Sequence, residues 1–155
     1  MINKFDASVE KGDKYTEREN MYGSDVLEMF TSVSWEEDWK ECIRSEDEFG
    51  TFFTVKYKDS NNLEFEFNAE LYVEDEHKNE NLPLKFSLTY SYQEIKMKKV
   101  LFGLLGEKEE IRSENIFMDD QDMDFTLKCL NAFLKHDHIF LLSNMYENYG
   151  TDLKE

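Results

Sequence analysis

Residues 63–74, Leu63-Glu64-Phe65-Glu66-Phe67-Asn68-Ala69-Glu70-Leu71-Tyr72-Val73-Glu74, decide the fold class. Side chains along a strand point alternately to opposite faces, so Leu63, Phe65, Phe67, Ala69, Leu71 and Val73 share one face. Glu64, Glu66, Asn68, Glu70, Tyr72 and Glu74 share the other. At about 3.3 Å per residue the pattern runs for roughly 40 Å, one side for a core and one for water. Upstream, Phe53, Val55 and Tyr57 alternate with Thr54, Lys56 and Lys58, and the turn-rich Asp59-Ser60-Asn61-Asn62 separates the two runs. Downstream, Leu84, Phe86, Leu88, Tyr90 and Tyr92 alternate with Lys85, Ser87, Thr89, Ser91 and Gln93. Three consecutive half-buried strands imply an antiparallel meander. Keeping the core faces aligned sets Tyr57 opposite Phe65 and Val55 opposite Phe67, which brings Lys58 to Glu64 and Lys56 to Glu66.

Working outward, Val100, Leu101, Phe102, Leu104 and Leu105 within Met97–Leu105 read as a fourth, more deeply buried strand. Ile111, Ile116 and Phe117 form a weaker segment, an edge strand or an irregular stretch. Before the meander, Val26, Leu27, Met29, Phe30 and Val33 fit a short helix from Ser24. Ser34, followed three residues later by Glu37, has the form of a capping box. The helix it opens places Trp35, Trp39, Cys42 and Ile43 on one stripe, with acids around the rest. After the meander, Asp119 and Asp120 are placed to cap a helix carrying Met123, Leu127, Leu130 and Leu134, and Asp137 to cap another through Ile139–Met145. The expected architecture is α+β: an antiparallel meander of about four strands with an N-terminal Trp helix and two C-terminal helices packed on the sheet. Residues 1–22, polar and without a sustained period, read as an arm, and residues 23–155 as a single domain.

The 155 residues carry 18 Lys+Arg against 35 Asp+Glu, a net charge of −17, which disfavours direct attraction to nucleic acid or anionic lipid. No apolar run reaches the roughly 18 residues of a membrane span and the first residues lack a signal-peptide core, so a soluble, cytoplasmic protein is expected. Two cysteines, Cys42 and Cys129, make no disulfide scaffold and read as buried structural thiols. Gly103 and Gly106 are the only close glycine pair and no Lys-Ser or Lys-Thr follows, so no phosphate loop is expected. Asp120, Asp122 and Asp124 open like a calcium loop, but Phe125 stands where Gly is needed and Asn131 where Glu is needed. His136 and His138 flank Asp137, with His77 far off in a polar loop, which fits a helix junction better than a zinc site. No catalytic nucleophile, cofactor or metal is expected.

The acidic surface itself remains. Residues 1–80 hold 22 acids and 9 bases, residues 81–155 hold 13 acids and 9 bases, so the negative field belongs to the first half. Its densest pieces are Glu36, Glu37, Asp38 and Glu41 on the Trp helix, Glu46, Asp47 and Glu48 after it, and Glu70, Glu74, Asp75 and Glu76 along the long strand. These are expected to converge near one sheet edge. Trp35, Trp39, Phe49, Phe52 and Tyr72 are interleaved with them, and exposed aromatics anchor protein interfaces. The expected site is an acidic rim around Trp35 and Trp39, suited to a basic protein partner; the alternative is that both tryptophans are core and the charges serve solubility.

In size, charge and lack of catalytic motifs the chain loosely resembles bacterial immunity proteins that neutralise nuclease toxins, and equally phage anti-CRISPR or anti-restriction proteins that imitate DNA. The resemblance lies in composition over the whole chain and transfers no residue. It implies a non-enzymatic inhibitor that blocks a nuclease or other nucleic-acid-binding effector. A structural or adaptor subunit pairing through a sheet edge is one alternative. Another is a small-ligand protein or enzyme with Tyr90, Tyr92, His136 and His138 lining a pocket.

Overall fold

A computed structural model describes residues 4–45, 50–73, 79 and 81–149, side chains of 146–149 excepted. The elements run β1 (Phe5–Lys11), β2 (Lys14–Met21), α1 (Gly23–Thr31), α2 (Trp35–Arg44), β3 (Phe52–Lys58), β4 (Glu64–Leu71), β5 (Phe86–Lys99), β6 (Glu107–Gln121), α3 (Met123–Leu134) and α4 (His138–Tyr149). The strands form one antiparallel sheet in the order β2-β1-β3-β4-β5-β6, giving an α+β fold with six strands where about four were expected.

The β3–β4 register is the one that the alternation dictates: Tyr57 faces Phe65, Val55 faces Phe67, Lys58 faces Glu64 and Lys56 faces Glu66. Lys58 Nζ lies 3.4 Å from Glu64. Asp59 closes this hairpin, its carboxylate accepting the backbone N–H groups of Asn61 and Leu63 at 2.9 Å each.

All four helices pack on one face of the sheet. Phe30 of α1 lies edge-on to Phe53 with ring centroids 5.1 Å apart, Trp35 of α2 meets Phe86 at 5.1 Å, and Phe133 of α3 meets Phe67 at 6.0 Å. On α4, His138 stands edge-on to Tyr92 at 4.7 Å. Phe53, Val55, Phe67, Phe86 and Leu88 are completely buried beneath them. On the other face Ser8, Thr54, Asn68, Thr89 and Phe117 lie in a row across five strands, with no described helix over them.

The expected arm is corrected over its described residues, 4–22, to an edge of the sheet: β1 and β2 form a hairpin, and β1 pairs along β3 from Asp6–Lys56 to Glu10–Phe52. This hairpin and the β5–β6 hairpin are built alike. Each has a register shift near its root, a left-handed residue three positions before a helix (Asn20, φ 57°; Asp120, φ 59°), and then a helix pair. The cap of α3 is also one step from the expectation: Asp122, not Asp119 or Asp120, accepts the Phe125 N–H at 2.8 Å. Asp137 accepts the Phe140 N–H at 3.0 Å, so the His136–His138 run is a helix junction. His136 itself is left-handed at φ 58°, ending α3 in the six-to-one and five-to-two bonds that usually require glycine (Asp137 N–H to Ala132, His136 N–H to Phe133).

The second correction concerns Met97–Leu105. β5 runs unbroken through Lys99, turns over residues 100–106 and returns as β6, so the expected deep strand is a hairpin tip in water. Leu101, Phe102, Leu104 and Leu105 are 60%, 101%, 85% and 68% exposed.

Candidate functional site

Helix α2 is placed by its apolar stripe. Trp35 packs against Phe30 and Phe86 at 5.1 Å each, and its indole Nε1–H donates to the Phe30 carbonyl at 2.9 Å. Trp39 is equally buried, with its Nε1–H unpartnered among the described residues. Neither tryptophan is available as an interface anchor, which corrects the expectation: spacing of i, i+4 defines a stripe, and here the stripe is core.

The acids of α2 divide into three environments. Glu36 and Glu37 stand in solvent in the first turn, where carboxylates interact favourably with the helix dipole. Asp38 faces inward and is buried; Lys11 Nζ approaches its Oδ1 at 2.6 Å and Thr51 Oγ1 donates to its Oδ2 at 2.5 Å. It holds the β1–β2 turn and the start of β3 onto α2 and is no part of an outer face. Glu41 is exposed, one turn further on, and shares Lys11 at 3.0 Å. Hydrogen bonds from Lys11 to Asp38 and Glu41 raise the lysine pKa above its ordinary value, so the ammonium is fixed there at neutral pH.

Lys11, Asp38, Glu41 and Thr51 line a cleft of about 350 Å³ that also reaches Gly50. A Cβ on Gly50 would stand 2.8 Å from Leu71 Cβ and 2.9 Å from Cys42 Sγ, so glycine is required where the chain passes under α2. The acids on the strands do not join this face. Glu70 opposes Phe52 and Ser87 on the side of the sheet away from the helices, so it does not converge with the α2 carboxylates at one edge. Burial, then the nearby Asp119 charge, raises the Glu70 carboxyl pKa. Glu46, Asp47, Glu48, Phe49, Glu74, Asp75, Glu76 and His77 lie outside the described residues.

Tyr90, Tyr92, His136 and His138 form a packed cluster together with Tyr57. Tyr90 is 1% exposed and its hydroxyl lies 2.7 Å from His138 Nδ1. Tyr90 and Tyr92 stack at 5.3 Å, and His136 sits 4.0 Å from the Tyr57 ring. Burial lowers the pKa of both histidines, pushes Tyr57 up to about 12, and raises Tyr90 still further. Cys42 and Cys129 are buried and form no disulfide; burial pushes the Cys129 thiol up to about 12, far from nucleophilic range. Among the described residues no three His, Cys, Asp or Glu side chains gather to hold a metal ion, and no helix is long and apolar enough to cross a membrane.

One surface escaped the sequence reading altogether: the tip of the β5–β6 hairpin. Its signal was present in Gly103 and Gly106, whose spacing inside an apolar run marks a turn, and both have positive φ.

No protein-family model matches this chain, and neither does any curated protein or solved structure.

Proposed function

We propose that the protein is a non-enzymatic inhibitor that binds and blocks a basic, nucleic-acid-handling protein, a nuclease toxin or a CRISPR or restriction effector, by presenting carboxylates to its cationic groove. The observation that carries this reading is the exposed face of α2, where Glu36, Glu37 and Glu41 stand on a helix whose other side is locked into the core. A rigid row of carboxylates in a chain of charge −17 suits long-range attraction and rapid association. Trp35, Trp39 and Asp38 act behind this face as its support, and Glu70 is outside it.

The test is capture from lysate of the source cell and its phage or competitors at about 50 and 500 mM salt, a roughly threefold change in Debye length. The bait is the wild type or a Glu36→Lys/Glu37→Lys/Glu41→Lys variant, whose unchanged melting is checked first. A basic nucleic-acid-binding protein captured at low salt, lost at high salt and lost with the variant supports the reading. Equal capture by both proteins removes α2 from it, and recovery of no basic partner removes the inhibitor role.

A further inference from the structure

The sheet's last hairpin outgrows the sheet. Strand β4 accompanies β5 only from Phe86 to Tyr92, whereas β5 and β6 remain paired out to Lys99–Glu107. Residues 93–99 and 107–113 therefore form a two-stranded ribbon, about 23 Å long at 3.3 Å per residue, ending in the turn 100–106. Opposed residues share a face, so Ile95 and Ile111, which face each other, lie with Met97 on one side of it. All three are exposed, at 43%, 62% and 56%, and they continue into Leu101, Phe102, Leu104 and Leu105 at the tip. The opposite side carries only charged residues from its root outward: Glu94, Lys96, Lys98, Lys108, Glu110 and Arg112. Seven large exposed apolar side chains thus lie on one ribbon, with Lys99, Glu107 and Glu109 on the same side between Met97 and the tip, and exposed apolar surface gathered in this way marks an interaction site.

The turn is ordered for display. Val100 N–H donates to the Gly106 carbonyl at 3.0 Å, the Val100 carbonyl accepts the Gly103 N–H at 3.1 Å, and Leu104 N–H donates to the Leu101 carbonyl at 3.1 Å. Leu101 and Phe102 are held left-handed at φ 50° and 59°, a conformation that disfavours any side chain with a Cβ by about 1–2 kcal/mol. Such strain is retained where it serves a site.

Charge identifies the occupant. Residues 93–113 contain five bases (Lys96, Lys98, Lys99, Lys108, Arg112) and four acids (Glu94, Glu107, Glu109, Glu110), net +1, leaving −18 on the rest of the chain. The ribbon is thus where two copies can approach without mutual repulsion, and its length exceeds the Debye length of about 8 Å that screens the bodies behind it. On the apolar side its signs are segregated by strand: Lys99 ends β5, Glu107 and Glu109 begin β6, and none of the three has an ion-pair partner among the described residues, whereas Lys98 faces Lys108 on the other side. Balanced charge gains little from an anionic lipid surface and nothing from the basic partner proposed for α2. We infer that the β5–β6 ribbon is a self-association arm, its apolar face and tip packing on a second copy of this chain, with Lys99 of one copy beside Glu107 and Glu109 of the other.

Sedimentation velocity of the full chain, from about 1 to 100 µM, tests this directly. The wild type and the Glu36→Lys/Glu37→Lys variant should both be dimers in the upper part of that range. Phe102→Asp/Leu104→Asp should weaken association roughly 100-fold or more, with circular dichroism unchanged, and melting unchanged at about 1 µM where both proteins are monomers, because both side chains lie outside the core. A monomeric wild type throughout, or a dimer indifferent to the tip substitutions, overturns the proposal. So does a monomer that co-sediments with phosphatidylcholine–phosphatidylserine vesicles, which would make lipid the occupant.

Discussion

Helix α2 and the β5–β6 tip exchange the places that their sequences suggest. Trp35-Glu36-Glu37-Asp38-Trp39 combines aromatics with acids, as an interface does, yet both tryptophans and Asp38 are core. Val100-Leu101-Phe102-Gly103-Leu104-Leu105 is the most apolar short run of the middle of the chain, yet Phe102 is 101% exposed. The difference lies in periodicity. An amphipathic helix carries its own direction, because its polar residues must face water and its stripe must then face the sheet. An apolar run without alternation carries no direction, and two glycines inside it were enough to make it a turn.

The largest expected effect sets these two regions against each other. Trp35→Ala and Trp39→Ala should each destabilise the fold by about 3–5 kcal/mol in chemical denaturation, a fall in Tm of roughly 10 °C. Phe102→Ala and Leu104→Ala should stay within about 0.5 kcal/mol of wild type. A tip variant that melts as early as a tryptophan variant would show the turn to be packed and erase the contrast. Trp39→Phe sharpens it, since this change deletes a buried N–H that has no partner and should cost much less than Trp39→Ala.

What was legible in the sequence follows the same physical division. The β3–β4 register was readable residue by residue because alternation and the Asp59 turn leave one solution that keeps both apolar faces inward. β2 was invisible: all of its residues from Lys14 to Asn20 are exposed, and an edge strand held by its backbone ladder needs no apolar alternation. β6 has the same character, with only Ile116 and Met118 buried. At α2, composition located the acids correctly, but no count of carboxylates reveals that Asp38 is consumed by Lys11 and Thr51 while Glu36 and Glu37 remain free of them. That information depends on the β1–β2 turn, which no apolar alternation in the exposed β2 announces.

The next effect in size divides α2 internally. Asp38→Ala leaves Lys11 with only Glu41 and the buried Thr51 hydroxyl without its acceptor, and should cost about 1–3 kcal/mol, whereas Glu36→Gln and Glu37→Gln should cost no more than about 0.5 kcal/mol. Equal losses in thermal melts would mean that the three acids share one environment.

A smaller effect reports on the root of the ribbon. Burial lowers the pKa of His136 and His138 from 6.5, and the Glu94 carboxylate pulls His138 back upward. Below pH 6.5 the unfolded chain binds the extra protons first, so this contribution is present above 6.5 and is lost as pH falls through the folded-state values. Both rings are only partly buried, so solvent screening keeps the loss small. Glu94→Gln should move the His138 titration, followed by proton NMR, to lower pH and leave His136 in place. A shift of both would mean that the helix junction responds as a unit.

Glu70 gives the smallest effect, with the opposite sign. Its raised pKa means that the folded state holds the proton more tightly than the unfolded chain does. Its contribution is therefore complete below pH 4.5 and declines as pH rises through the folded value, leaving the ionised carboxylate unfavourable at neutrality. Asp119 is the second cause, and it already accepts the Ser87 hydroxyl at 2.5 Å, so that hydroxyl is not available to relieve Glu70. Glu70→Gln should raise stability at pH 7 by a few tenths of a kcal/mol after screening, with no gain at pH 4. Glu37, exposed on α2 on the other side of the sheet, is the comparison, as Glu37→Gln. If the two variants behaved alike, the carboxylates on the two faces of this protein would be interchangeable, and the separation of an available acidic helix from an acid held at a cost within the sheet would fail.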